Sequence, residues 1–130
     1  MSWSKQNGYS LLELIVAFAV ASSSLVAVLG IASRSAALTR NARDLTAATL
    51  LAQSLYAETE DPALLRSPLR QGEHAGRYRW RVSTRDHAQS APSPLPLREV
   101  VVEVSWPRSG DEETYRLAGL EPDLAALRER

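Results

Sequence analysis

The hydrophobic period of the chain changes twice. From Gly8 to Ala32 (GYSLLELIVAFAVASSSLVAVLGIA) the residues are apolar or small almost without interruption, and Glu13 is the one charge. Roughly twenty apolar residues suffice to cross a bilayer, and backbone polar groups in hydrocarbon force the helical choice. Leu38, Leu45, Ala48, Ala52 and Leu55 then recur at helical spacing, leaving Arg40, Arg43, Asp44 and Gln53 for the other face. One helix from about Ser10 to about Glu58 is predicted, its outer half amphipathic. Asp61-Pro62 ends it, because proline disfavours helix in the residue before it. Within the span, Ala19, Ser23 and Ala27 form a small-residue stripe that admits a neighbouring helix, and Ser22–Ser24 with Gly30 weaken the helix enough to permit a bend.

Beyond Pro62 the period shortens. Ala63-Leu64-Leu65 predicts one short helical turn, and Gly72 and Gly76 predict changes of chain direction. Arg77 to Thr84 alternates, with Tyr78, Trp80 and Val82 on one face and Arg77, Arg79 and Arg81 on the other, as a half-buried strand does. The proline-bearing stretch from Asp86 to Leu97 reads as an exposed connection. Val100, Val102, Val104 and Trp106 define the inner face of a second strand. A turn over Pro107–Asp111 returns the chain through Thr114–Leu120, with Tyr115 and Leu117 facing the same side. The expectation is three antiparallel strands covering the helix, an α+β class. The tail EPDLAALRER predicts a short helix with Pro122 at its first position and Leu124 and Leu127 sealing it to the head.

Composition narrows what this architecture can do. At 130 residues, with the span removed, one small head remains, and without cysteine it has neither disulfide nor thiolate site. Fifteen basic residues balance fifteen acidic ones, which argues against a nucleic-acid binder driven by phosphate contacts. His74 and His87 sit in different loops outside any HExxH pattern, and Asp111-Glu112-Glu113 lacks the alternating ligands of an EF-hand, so a solvated hairpin tip is the reading there. Tyr78, Trp80 and Trp106 read as core rather than as a stacking platform. No catalytic residue, metal site, cofactor or small-molecule substrate is expected.

Glu13 is the informative residue. A carboxylate at the centre of a spanning helix costs on the order of 2 to 3 kcal/mol, less near an end, and therefore asks for a cation. A cut after Gly8 would supply one: Tyr9 would carry a new α-amino group one helical turn from Glu13, or within reach of Glu13 on a neighbouring chain. Such a pair at about 4 Å attracts by roughly 4 kcal/mol at an intermediate dielectric.

Lys5 in a short polar leader, Gly8, aromatic Tyr9 and Ser10-Leu11-Leu12-Glu13 opening the apolar helix resemble the class III signal of type IV pilins and type II secretion pseudopilins. The resemblance implies a type IV pilin-like fold, cleavage by the prepilin peptidase between Gly8 and Tyr9, N-methylation of Tyr9, and Glu13 as the assembly carboxylate. Tyr9 replaces the commoner phenylalanine. The implied organisation is a leader over 1–8, a transmembrane half-helix over 9–32, an amphipathic half over 33–60, and a β head with a short tail over 61–130. Tyr78-Arg79-Trp80-Arg81-Val82, the proline connection, Val100 to Trp106, Tyr115-Arg116-Leu117 and the helix segment AATLLAQSLYAE are similar to the subunit I family of minor pseudopilins. That similarity implies a structural subunit that helps start or cap a periplasmic pseudopilus for protein export. Its partners would be J- and K-type tip subunits and the major pseudopilin, met through Leu38, Leu45, Ala48, Ala52 and Leu55. The longer charged tail after Glu121 departs from the family pattern.

Charge leaves the membrane orientation tied, with Lys5 before the span and Arg34, Arg40 and Arg43 against Asp44 after it. The family places the protein in the bacterial inner membrane as a single-pass subunit with its head in the periplasm. Two rivals are a minor pilin of a type IV or DNA-uptake pilus, and an exported periplasmic binding domain released by a signal peptide ending Ala19-Val20-Ala21. Glu13 inside the apolar region, and the apolar residues that continue to Ile31, count against the latter.

Overall fold

The computed structural model describes residues 4–88 and 95–129, with side chains from residue 10 onward. The chain forms two compact units, Met1–Ala42 and Arg43–Arg130. Helix α1 runs from Ser4 to Ala57 without a break at Ser22–Ser24 or Gly30. It starts earlier than the sequence predicts, continuing through the expected leader. A 3-10 turn over Glu58–Glu60 follows. Asp61 then takes an extended conformation (ψ 118°), as a residue before proline should, and its carboxylate accepts the Ala63 N–H at 2.9 Å to cap α2 (Pro62–Leu65).

The second unit carries one antiparallel sheet in chain order, β1 (Leu69–His74), β2 (Tyr78–Asp86), β3 (Leu97–Arg108) and β4 (Asp111–Pro122), closed by α3 (Leu124–Arg128). Four strands stand where three were expected. The additional one, LRQGEH, is an edge strand with no apolar alternation, and Gly72 lies inside it, opposite Trp80, rather than at a turn. The first turn is at Ala75-Gly76, both with positive φ, and the second at Ser109-Gly110, also both positive, between the paired residues Arg108 and Asp111. Positive φ at both central positions is the type I′ signature, which matches the twist of the flanking strands. Pro107 and Asp111, expected in the turn, are therefore strand residues, and the Asp86–Leu97 connection is shorter than predicted because both are paired. Its residues 89–94 lie outside the described residues.

Alternation delivers the core. Val82, Val100, Val102, Val104 and Trp106 are buried on one face of the sheet against Ala48, Ala52 and Leu55 of α1 and Leu65 of α2, with Tyr78, Trp80, Tyr115 and Leu117 packed around them. Asp44 on α1 accepts hydrogen bonds from the Tyr78 hydroxyl at 3.0 Å and Arg77 Nη2 at 2.7 Å. Tyr56 approaches β4 so closely that a Cβ at Gly119 would lie 2.0 Å from its hydroxyl oxygen. Burial, reinforced by a hydrogen bond to Glu121 and the charge of that residue, pushes the Tyr56 phenol up to about 12.

The tail differs most from expectation. Pro122 ends β4 opposite Leu97 and does not begin the helix; Asp123 is the cap, accepting the Ala126 N–H at 3.2 Å. Leu124 and Leu127 stay 59% and 40% exposed and seal nothing. Asp123 is buried instead, with Arg98 Nε at 3.1 Å and Arg66 Nε at 3.5 Å. Burial pushes its carboxyl up, but the Ala126 N–H and the two guanidinium groups outweigh that and hold it below the usual 3.8. A depressed folded-state pKa means that the stabilisation is present above 3.8 and is lost only as pH falls through the lower value.

Gly119→Ala forces a methyl group into Tyr56 and should destabilise the head by about 1–3 kcal/mol, lowering its melting temperature by at least about 4–8 °C. Thermal circular dichroism of the detergent-solubilised protein reads this out. An unchanged transition would mean that Tyr56 does not pack on β4 as described.

Candidate functional site

The functional candidates lie along α1. From Ser10 to Ile31 every side chain is exposed, including Leu11, Leu14, Phe18, Leu25, Val26 and Leu29. These 22 positions rise about 33 Å at 1.5 Å per residue, close to the hydrocarbon thickness of a bilayer. The helix is long and apolar enough to cross a membrane. Three of its hydroxyls are turned onto the backbone: Ser23 and Ser24 both donate to the Val20 carbonyl, at 2.9 and 2.8 Å, and Ser33 donates to the Leu29 carbonyl at 3.0 Å. An unpaired hydroxyl in hydrocarbon costs several kcal/mol, roughly 4 on alkane scales, so this local bonding suits an apolar medium.

Glu13 breaks the pattern. It is an exposed carboxylate between exposed leucines, and among the described residues no cation lies within ion-pair distance of it. Gly8 and Tyr9 lie in α1 with their side chains outside the described residues. In an intact helix the Tyr9 nitrogen is a neutral amide four residues before Glu13, on the same face. Cleavage after Gly8 would turn that nitrogen into an amine and make Glu13 the fifth residue of a helix whose N-terminal dipole favours negative charge.

The stripe expected to meet partners is divided by the fold. Ala48 and Ala52 are fully buried and Leu55 nearly so, all three beneath the sheet of their own head. In the head these three side chains are covered by its own sheet and form part of its core. Leu38 and Leu45 remain 68% and 48% exposed, and Leu50, which the sequence reading passed over, is 61% exposed.

Other candidates are absorbed locally. His74 and His87 are exposed at the end of β1 and just after β2. Asp111, Glu112 and Glu113 begin β4 instead of forming a loop tip, with Glu112 paired to Arg79 and Glu113 to Arg108. A hydrogen bond from Ser105 and the neighbouring Arg79 hold the Glu112 carboxyl below its usual value. No group of three or more metal-ligating side chains occurs among the described residues. The residues that organise the head electrostatically, Asp44 and Asp123, had different visibility. Asp123 directly precedes LAALR, a capping signal, whereas Asp44 has no local signature because its partners are more than thirty positions away.

Residues 3–31 match the prokaryotic N-terminal methylation motif. The chain is 36% identical over 121 residues to type II secretion system protein I of Xanthomonas campestris pv. campestris, covering 86% of this chain and 86% of that protein. No solved structure matches the chain.

Glu13→Ala removes a charge from the apolar helix and should leave bilayer insertion as complete as in the parent, or favour it by up to about 2–3 kcal/mol. A glycosylation-tag insertion assay measures this. Reduced insertion would mean that Glu13 already has a partner during insertion.

Proposed function

The chain belongs to the type II secretion system protein I family, and from that premise we propose that it acts as a minor pseudopilin that helps to initiate or cap a periplasmic pseudopilus. It is a structural subunit and its work is assembly. The leader over 1–8 is removed by the prepilin peptidase between Gly8 and Tyr9, and Tyr9 is N-methylated. Helix α1 anchors the subunit in the bacterial inner membrane with the head in the periplasm. The observation that carries this reading is Glu13, the sole charge between Ser10 and Ile31, one turn from the nitrogen that cleavage would free. In the assembled filament its carboxylate pairs with the amine of a neighbouring subunit, so that two groups costly to bury singly are buried together.

The partners are the J- and K-type tip subunits and the major pseudopilin. They meet the exposed part of the α1 stripe, Leu38 and Leu45, with Leu50 available on another side of the helix. A second amphipathic helix crossing at a shallow angle would bury these leucines.

Mass spectrometry of the mature N-terminus tests the reading directly. The expected species begins at Tyr9 and carries one methyl group; a chain beginning at Ser22, or one still carrying the leader, would sink it. At the interface, Leu45→Arg should weaken association with J- and K-type subunits by about tenfold or more while leaving the melting temperature of the head unchanged. Ala52→Arg is unsuitable as a companion, because it drives a charge into the core. Unaltered association of the Leu45→Arg protein would remove this residue from the interface.

A further inference from the structure

The segment Leu124–Arg128 is joined to the head chiefly by charge: its leucines are exposed, its alanines only half-buried, and none of its side chains belongs to the core cluster. α3 has five residues, too few to persist as an isolated helix, and its two leucines point away from the core. The attachment converges on Asp123, only 3% exposed. Its N–H donates to the Pro96 carbonyl at 2.9 Å, and its carboxylate caps Ala126 while accepting from Arg98 and lying beside Arg66. Each arginine also holds a second, outer carboxylate: Arg66 forks onto Glu129 at 3.1 and 3.4 Å, and Arg98 Nη2 lies 3.2 Å from Asp86. Those outer acids are exposed, so their pairs are screened by water and hold little. The inner acid is shielded and serves both arginines.

We propose that Leu124–Arg128 is an arm latched by the single carboxylate of Asp123, which opens when that charge is removed while the four-stranded sheet and the α1 segment packed on it stay closed. The sheet can survive the opening for a specific reason. Arg66 is 36% exposed and is solvated by water once Glu129 leaves with the arm, and Arg98, 21% exposed, keeps Asp86 on β2, so neither guanidinium is stranded. None of the apolar residues of the core cluster comes from the arm. The arm is thus the part of the head able to change conformation at low cost, and this stands whether or not the chain assembles with other subunits.

The sequence contains no cysteine, so single labelling sites can be introduced cleanly. A nitroxide on Leu124→Cys reports the arm, and one on Arg81→Cys reports the outer face of β2, each in the full chain in detergent micelles. With Asp123→Ala, the mobile fraction of the arm label should rise several-fold while the β2 label is unchanged. Glu129→Gln should raise it far less. The latch would be overturned by an arm label unaffected by Asp123→Ala, by a β2 label mobilised to the same degree, by a variant that does not fold, or by a Glu129→Gln effect equal to that of Asp123→Ala.

Discussion

The second unit depends on how near α1 can come to the sheet, and two methyl side chains set that distance. Ala48 and Ala52 are fully buried against a wall of valines. With larger residues there the helix would stand away, and the contacts that need a short reach would fail together. Asp44 could not accept from both Arg77 and Tyr78, and the Tyr56 hydroxyl could not lie over Gly119. Close packing makes such a core sensitive to single methylene groups, and a head this small has few other sources of stability.

Periodic features were legible in the sequence and contextual ones were not. Tyr78–Val82 and Val100–Trp106 announced their strands by alternation, and the structure buries Val82, Val100, Val102, Val104 and Trp106 with Tyr78 and Trp80 half-buried beside them, although Val101 is buried as well, on the opposite face. The strand Leu69–His74 carried no such signal: an edge strand pairs through its backbone on one side, and five of its six residues are exposed. Ala48, Ala52 and Leu55 illustrate a deeper ambiguity. An apolar helical stripe says that a face will be covered, but not whether the chain itself or another molecule covers it. In the tail the sequence pattern points to Leu124 and Leu127 for the task that Asp123 performs, because an ion pair between residues far apart in sequence leaves no periodic trace.

At the N-terminus one charge stands out in the sequence. A lone acid in an apolar helix is costly wherever it sits, so its presence points to a circumstance in which it is paired. The methylation-motif match over residues 3–31 and the similarity to type II secretion system protein I give that circumstance a family. Ser23, Ser24 and Ser33 carry no comparable implication, because their hydroxyls are already bonded to the preceding turn.

The contact between Tyr56 and Gly119 also bears on how this sequence can drift. The two positions, sixty-three residues apart, occupy one small volume, so neither can vary freely while the other is held. A lineage acquiring a side chain at 119 must first, or at once, surrender the phenol at 56, and with it the hydrogen bond to Glu121. Substitutions at these three positions should therefore travel together among descendants of this chain, as a linked trait and not as three independent ones.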